Sequence, residues 1–125
     1  AAYAGVARGE YPVVPYAVID ADGQWIDHSG KYTLEPRVRL QMAEMLRETV
    51  NDGTGRAAQL QIPNFGKTGT SQQNRNAVFV GWAGGIVAGV WVYAEADDKD
   101  RTGLSGGDAP ARIWKAFMQR AVPGA

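Results

Sequence analysis

A pair of apolar runs joined by two glycines restricts the fold more than any other stretch. From Ala77 the chain reads Val78, Phe79, Val80, Gly81, Trp82, Ala83, then Gly84-Gly85, then a nearly continuous apolar run from Ile86 to Tyr93. Two glycines between β-branched and aromatic runs predict a tight antiparallel hairpin, because the turns that match strand twist need positive φ. The second run lacks polar alternation and is expected to be a strand buried on both faces. Sixteen glycines in 125 residues predict further tight turns or close backbone approaches.

Helices are signalled on both sides of this hairpin. Pro36 suits a first helical turn. Val38, Met42, Met45, Leu46 and Val50 follow at spacings of four, three, one and four, so they share one face until Asn51-Asp52-Gly53 ends the helix. After the hairpin, Asp108 can cap a final helix with Pro110 in its first turn. Ile113, Trp114, Phe117, Met118 and Ala121 form its apolar stripe, and Pro123-Gly124 stops it. Residues 1 to 9 read as the last turns of a helix closed by Gly9, with Tyr3 and Val6 on one face. Tyr11 to Ile19 carries Pro12 and Pro15 among strand-forming residues, which predicts an edge strand or extended arm. Asp22-Gly23 signals a turn, with Gln24-Trp25-Ile26 returning. Thr54 to Ala58 reads as a turn and short connector, and Glu95 to Arg101 as a charged surface loop.

Composition removes several classes of function. Thirteen basic residues balance thirteen acidic ones, so no basic field points to nucleic acid. The absence of cysteine rules out disulfides, thiolate metal sites and a cysteine nucleophile. No stretch approaches the roughly 18 apolar residues of a membrane span, and none reads as a signal peptide. The chain opens at Ala1-Ala2-Tyr3-Ala4 inside structured-looking sequence, as expected of a fragment or a processed product.

Most chemistry-bearing spellings have a plainer reading. Gly66-Lys67-Thr68 echoes a phosphate loop, but position 61, where that loop needs glycine, is Gln61. Gly103-Leu104-Ser105-Gly106-Gly107 spells a nucleophile elbow, yet a charged loop precedes it and no histidine follows. It reads as a flexible glycine loop leading into the final helix. His28 is the single histidine and sits in a polar turn, so no metal pair is available. Glu35 and Glu44 are isolated and read as solvated. Trp82, Trp91 and Trp114 are expected in the core.

Gly66-Lys67-Thr68-Gly69-Thr70-Ser71 stands apart. A lysine brings positive potential and three donors. Thr68 and Thr70 can hydrogen-bond a carboxylate, and Gly69 leaves no side chain to obstruct a ligand along the strand. A backbone N–H beyond it can serve an oxyanion. By themselves these residues are equally compatible with a purely structural strand.

Their surroundings favour the functional reading. Thr54-Gly55-Arg56-Ala57-Ala58, then Lys67-Thr68-Gly69-Thr70-Ser71, Val80-Gly81-Trp82 and Val90-Trp91-Val92 resemble the transpeptidase domain of penicillin-binding proteins. The likeness is greatest to the bifunctional class A type. Gly106-Gly107, Pro110-Ala111 and Ile113-Trp114 resemble that family's final segment, and Ala2-Tyr3-Ala4 and Pro15-Tyr16 its lead-in. The family's motifs are S-x-x-K, S-D-N and K-T-G. The resemblance implies an α+β fold, an antiparallel β-sheet with flanking helices, of the penicillin-binding-protein and serine β-lactamase kind. Residues 1–125 would form the C-terminal part of the domain: the K-T-G strand, the two apolar strands and the last helix. It implies a serine D,D-transpeptidase that crosslinks peptidoglycan stem peptides ending in D-Ala-D-Ala and is trapped by β-lactams. Lys67 and Thr70 would be catalytic, with Lys67 tuning a proton network and the Thr70 N–H lining the oxyanion hole. Thr68, Gly69, Thr70 and Ser71 would bind the substrate. No cofactor or metal is implied. The implied location is the periplasmic face of the cell membrane, the parent protein anchored by an N-terminal membrane helix.

Four departures qualify this reading. Ser29, Ser71 and Ser105 are followed three residues on by Tyr32, Asn74 and Asp108, so S-x-x-K is absent, and no S-x-N occurs. Asn76 stands where the family usually has aspartate, and Tyr93-Ala94-Glu95 is atypical. The chain alone is therefore expected not to acylate, since nucleophilic catalysis needs a serine and its base. The missing N-terminal part of the domain would be its partner, across exposed sheet edges and the Ile86-to-Val92 strand. A non-catalytic peptide-binding module and a serine β-lactamase relative are the alternatives.

Overall fold

A computed structural model describes residues 1–15, 30–94 and 103–125. Its elements are α1 (Ala2–Arg8), β1 (Glu10–Tyr11), β2 (Tyr32–Thr33), α2 (Pro36–Asn51), β3 (Phe65–Thr70), β4 (Asn76–Ala83), β5 (Ile86–Tyr93) and α3 (Ala109–Ala121), with a 3-10 turn at Arg56–Ala58. The main sheet is antiparallel, in the order β3-β4-β5, and β1 pairs with β2 apart from it. This is the α+β arrangement expected, an antiparallel sheet with helices packed on it.

The β4–β5 hairpin forms where the two apolar runs predict it. Ala83 pairs with Ile86, and the intervening Gly84 and Gly85 adopt φ of 53° and 83°, the doubly left-handed turn that glycine reaches without strain. Gly84 also lies against Val122, so a side chain there would meet that residue.

The core lies between β4 and α3. Val50, Ala58, Phe79, Ala83, Ala111, Trp114, Met118 and Val122 form one buried cluster. Phe79 meets the Trp114 indole edge-on, with centroids 5.2 Å apart. The Trp114 Nε1–H donates to the Ala88 carbonyl at 3.1 Å, so its polar tip is satisfied while its rings fill the interior. Asn64, a buried polar residue, donates to the Ala58 carbonyl at 2.9 Å and accepts from the Leu60 N–H at 3.2 Å. It thereby pins the connection that leads into β3.

Several faces differ from expectation. β5 is covered on one side only: Ile86, Ala88 and Val90 pack toward the core, while Val87, Trp91 and Tyr93 lie on the open side. Trp91 is 66% exposed, so it is not a core residue. Strand geometry explains this, since alternate side chains point to opposite faces and α3 covers only one of them. On α2, Leu46 and Val50 are buried, but Val38 and Met45 are exposed, because the core reaches only the C-terminal end of that face. On α3 the buried residues are Pro110, Ala111, Trp114 and Met118, whereas Ile113 and Phe117 are half exposed and Ala121 is exposed. The buried stripe keeps Trp114 and Met118 of the expected one and extends to Pro110 and Ala111 in place of Ile113, Phe117 and Ala121. Asp108 precedes α3 but makes no side-chain cap; its carboxylate pairs instead with Arg112 Nε at 2.9 Å.

The N-terminal region agrees with its signals. Gly9 closes α1 in the left-handed conformation, φ 77°. Arg39 reaches from α2 to the last carbonyls of α1, donating to Val6 at 3.2 Å and Ala7 at 2.6 Å, as a cation at a helix C-terminus should. After Tyr11 the segment through Pro15 joins no ladder, in keeping with its prolines. The Asp22-Gly23 turn, Trp25, His28 and the Glu95–Arg101 loop lie outside the described residues.

Replacing Trp114 separates its two contributions. Trp114→Phe keeps a ring against Phe79 but removes the bond to Ala88, an expected loss of about 1–3 kcal/mol. Trp114→Ala should lose about 3–5 kcal/mol. Urea unfolding of the two variants, read by intrinsic fluorescence or circular dichroism, checks the difference.

Candidate functional site

The site follows from the alternation of β3. Lys67 pairs with Val80 and Gly69 with Val78, while Thr68 and Thr70 pair with Phe79 and Ala77. Thr68 and Thr70 therefore share the face that carries the core, and Lys67 and Gly69 the opposite face. β3 is the end strand of the sheet, so its outer edge has no strand partner among the described residues.

Each of the side chains from Lys67 to Ser71 has a definite partner, except at glycine. The exposed Lys67 ammonium folds onto the strand and donates to the carbonyl of the following residue, Thr68, at 2.7 Å. That bond uses one of its three protons. Thr68 Oγ1 lies 2.7 Å from Thr54 Oγ1. Thr70 Oγ1 accepts the Gly106 N–H at 3.2 Å. Because that bond is accepted, the Thr70 hydroxyl proton stays free to be donated. Ser71 is committed to the β3–β4 connection: its Oγ accepts from the Asn76 N–H at 2.9 Å and donates to the Gln72 carbonyl at 3.2 Å. In that connection Gln73 and Asn74 both take positive φ, 62° and 52°.

Two glycines on neighbouring elements give the site its form. A Cβ on Gly69 would meet Val78 Cβ only at 3.8 Å, an ordinary contact. Packing does not demand glycine there, and its absence of a side chain leaves that side of the strand bare. Gly106 is the opposite case. A Cβ there would stand 2.5 Å from the carbonyl oxygens of both Gly69 and Val78, and 2.8 Å from the Gly69 nitrogen. The turn before α3 thus presses backbone to backbone onto the Gly69–Val78 pair, which only glycine permits. Gly107 in turn abuts the Thr54 carbonyl.

These second partners were not inferred from sequence. Thr54, Gly106 and Gly107 were legible only as parts of family-like strings, and the glycine stretch read as a flexible loop. It is instead wedged between Thr54 and β3, with Leu104 N–H also bonded to the Asn74 carbonyl at 3.3 Å. Asn76 also gains a role: its Oδ1 accepts the Trp91 Nε1–H at 3.0 Å. The position needs an acceptor, and an amide supplies one as a carboxylate would.

The family model for the penicillin binding protein transpeptidase domain matches residues 1–119. The chain belongs to that family. It is 30% identical to penicillin-binding protein 1B of Haemophilus influenzae over 83% of this chain and 14% of that protein. It is 32% identical to penicillin-binding protein 1A of Aquifex aeolicus over 82% of this chain and 15% of that protein. With penicillin-binding protein 1A of Neisseria gonorrhoeae it shares 27% identity over 98% of this chain and 17% of that protein. The transpeptidase match is of the class A kind, and the chain spans 14 to 17% of the length of these relatives. Among the described residues, no helix is long and apolar enough to cross a membrane.

The two glycines should respond oppositely to a methyl group. Gly106→Ala is expected to destabilise the fold by about 1–3 kcal/mol, because backbone must move. Gly69→Ala is expected to be neutral or to stabilise by up to about 1 kcal/mol. Chemical denaturation midpoints of the two variants check this contrast.

Proposed function

We propose that this chain supplies the carboxylate-gripping and oxyanion side of a peptidoglycan D,D-transpeptidase. The observation that carries the reading is the strand Lys67–Thr70, which combines an exposed ammonium, a threonine hydroxyl with its proton free, and a bare glycine. That is a surface suited to an extended peptide ending in a carboxylate. Lys67 keeps two protons for the ligand and the active-site proton network. Thr68 and Thr70 hydroxyls grip the terminal carboxylate, the Thr70 N–H serves the oxyanion, and Gly69 gives the backbone room to lie close. Ser71 holds the end of the strand beside them.

The nucleophile comes from outside residues 1–125, in the remainder of the domain. Its serine oxygen attacks the carbonyl of the penultimate D-Ala and forms an ester as terminal D-Ala leaves. The amine of a neighbouring stem peptide then attacks that ester, forms the crosslink and returns the proton to the serine. β-Lactams, which carry a carboxylate beside a strained amide, acylate the same serine and are held by the same wall. In this reading residues 1–125 are the C-terminal part of the domain and inactive alone. The parent is a membrane-anchored protein working at the periplasmic face.

Labelling the full-length protein and residues 1–125 with a fluorescent penicillin tests the assignment. Labelling of the long protein only is expected. No labelling of the long protein would leave the non-catalytic peptide-binding reading, and rapid turnover of a chromogenic β-lactam would favour the β-lactamase reading. Within the long protein, Lys67→Ala should slow acylation about a hundredfold or more, and Thr70→Val about tenfold. Gly69→Ala should lower labelling without lowering the unfolding midpoint.

A further inference from the structure

The partners of the two threonine hydroxyls differ in kind. Thr70 is backed by a peptide N–H, which can only donate, so the Thr70 proton is not used in that bond and stays available to a ligand. Thr68 is backed by another hydroxyl, that of Thr54, at 2.7 Å, and either oxygen can be the donor. A threonine hydroxyl has one proton and two lone pairs. If Thr68 donates to Thr54, it has no proton left for a ligand. If Thr54 donates to Thr68, the Thr68 proton is free and its oxygen is polarised by the incoming bond. A carboxylate accepts only, so its arrival selects the second arrangement.

Thr54 is also held more firmly than an exposed turn residue needs to be. Its neighbours on both sides are glycines packed against α2. A Cβ on Gly53 would stand 2.8 Å from Thr49 Cα, and one on Gly55 3.1 Å from both the Thr49 carbonyl oxygen and Phe79 Cε2. The Gly55 N–H donates to the Thr49 carbonyl at 2.8 Å, and Gly107 closes on the Thr54 carbonyl from the other side. Three close backbone approaches thus fix the main chain of a residue whose side chain, among the described residues, hydrogen-bonds Thr68.

We infer that Thr54 is a positioning residue for the substrate carboxylate, acting through Thr68: the hydrogen bond it donates to the Thr68 oxygen orients and polarises that hydroxyl, so that the Thr68 proton meets the carboxylate. The assignment rests on the transpeptidase reading above. It is tested in the full-length protein with Thr54→Val, which keeps the shape and removes the hydroxyl, and Thr54→Ser, which keeps the hydroxyl. Acylation is followed with a fluorescent penicillin and with the methyl ester of the same compound. Thr54→Val should slow acylation by the free acid about tenfold, through weaker binding more than a slower chemical step. Thr54→Ser should return to within about twofold of the parent, and the ester should react equally with all three. Thr54→Ala provides the same test if the valine variant does not fold. A wild-type rate for the free acid with Thr54→Val, an equal loss with acid and ester, or no rescue by serine would overturn the assignment while leaving the transpeptidase reading intact. If the unmutated full-length protein takes up no penicillin, it is the transpeptidase reading that fails, and this assignment falls with it.

Discussion

The rest of the structure depends on how one aromatic ring is seated. Phe79 is fully buried, and three glycines make room for it. A Cβ on Gly66 would overlap its ring, and one on Gly55 or Gly81 would stand 3.1 Å from it. These glycines belong to β3, to the connection after α2 and to β4 itself, and Trp114 of α3 closes the ring from its edge. One side chain therefore sets the spacing of four segments that are distant in sequence. A methyl at any of the three glycines would push on a close-packed interior that can yield little.

From that seat the site follows by short steps along the chain. Gly66 precedes Lys67, and Gly55 follows Thr54. Fixing Phe79 therefore fixes both the strand that carries Lys67, Thr68 and Thr70 and the turn that presents Thr54 to Thr68. The glycine pair Gly106-Gly107 adds the third support by entering between Thr54 and the Gly69–Val78 backbone. The glycines of this chain thus do two jobs. Gly55, Gly66 and Gly81 seat the core ring, Gly106 and Gly107 let backbone approach backbone beneath the site, and Gly69 answers neither demand.

The hairpin, α2, α3 and the cap at Gly9 were legible because each rests on local chemistry: positive φ at Gly84-Gly85, proline in a first turn, periodic apolar residues. What escaped was which face of each element meets another. Val38 and Met45, Ile113 and Phe117, and Val87, Trp91 and Tyr93 are all apolar at regular spacing yet lie toward solvent. Periodicity identifies a face, but coverage depends on the layer packed against it, which sequence does not state. The same limit hid Thr54 and Gly106 from the site. Their bonds to Thr68 and Thr70 span 14 and 36 residues, a separation that no motif spacing encodes. The Lys67–Thr70 stretch was legible because its chemistry is contiguous.

The polar groups around β3 divide by the direction of their protons. Ser71 has spent its proton on the Gln72 carbonyl and accepts from the Asn76 N–H, so its role is complete within the turn. Thr70 accepts a hydrogen bond from the Gly106 N–H and keeps its own proton to donate. Thr68 can do the same with Thr54, and Lys67 holds more protons than its one bond uses. The acceptors in these contacts are neutral, the Thr68 and Gln72 carbonyls and the Thr54 hydroxyl, so no carboxylate among them competes with an anion for the protons. An unliganded surface that holds several outward donors is costly to dry and favourable to fill with a carboxylate. In the proposed reading, that polarity, more than the presence of a lysine and two threonines, is what would set this strand apart from a merely polar sheet edge.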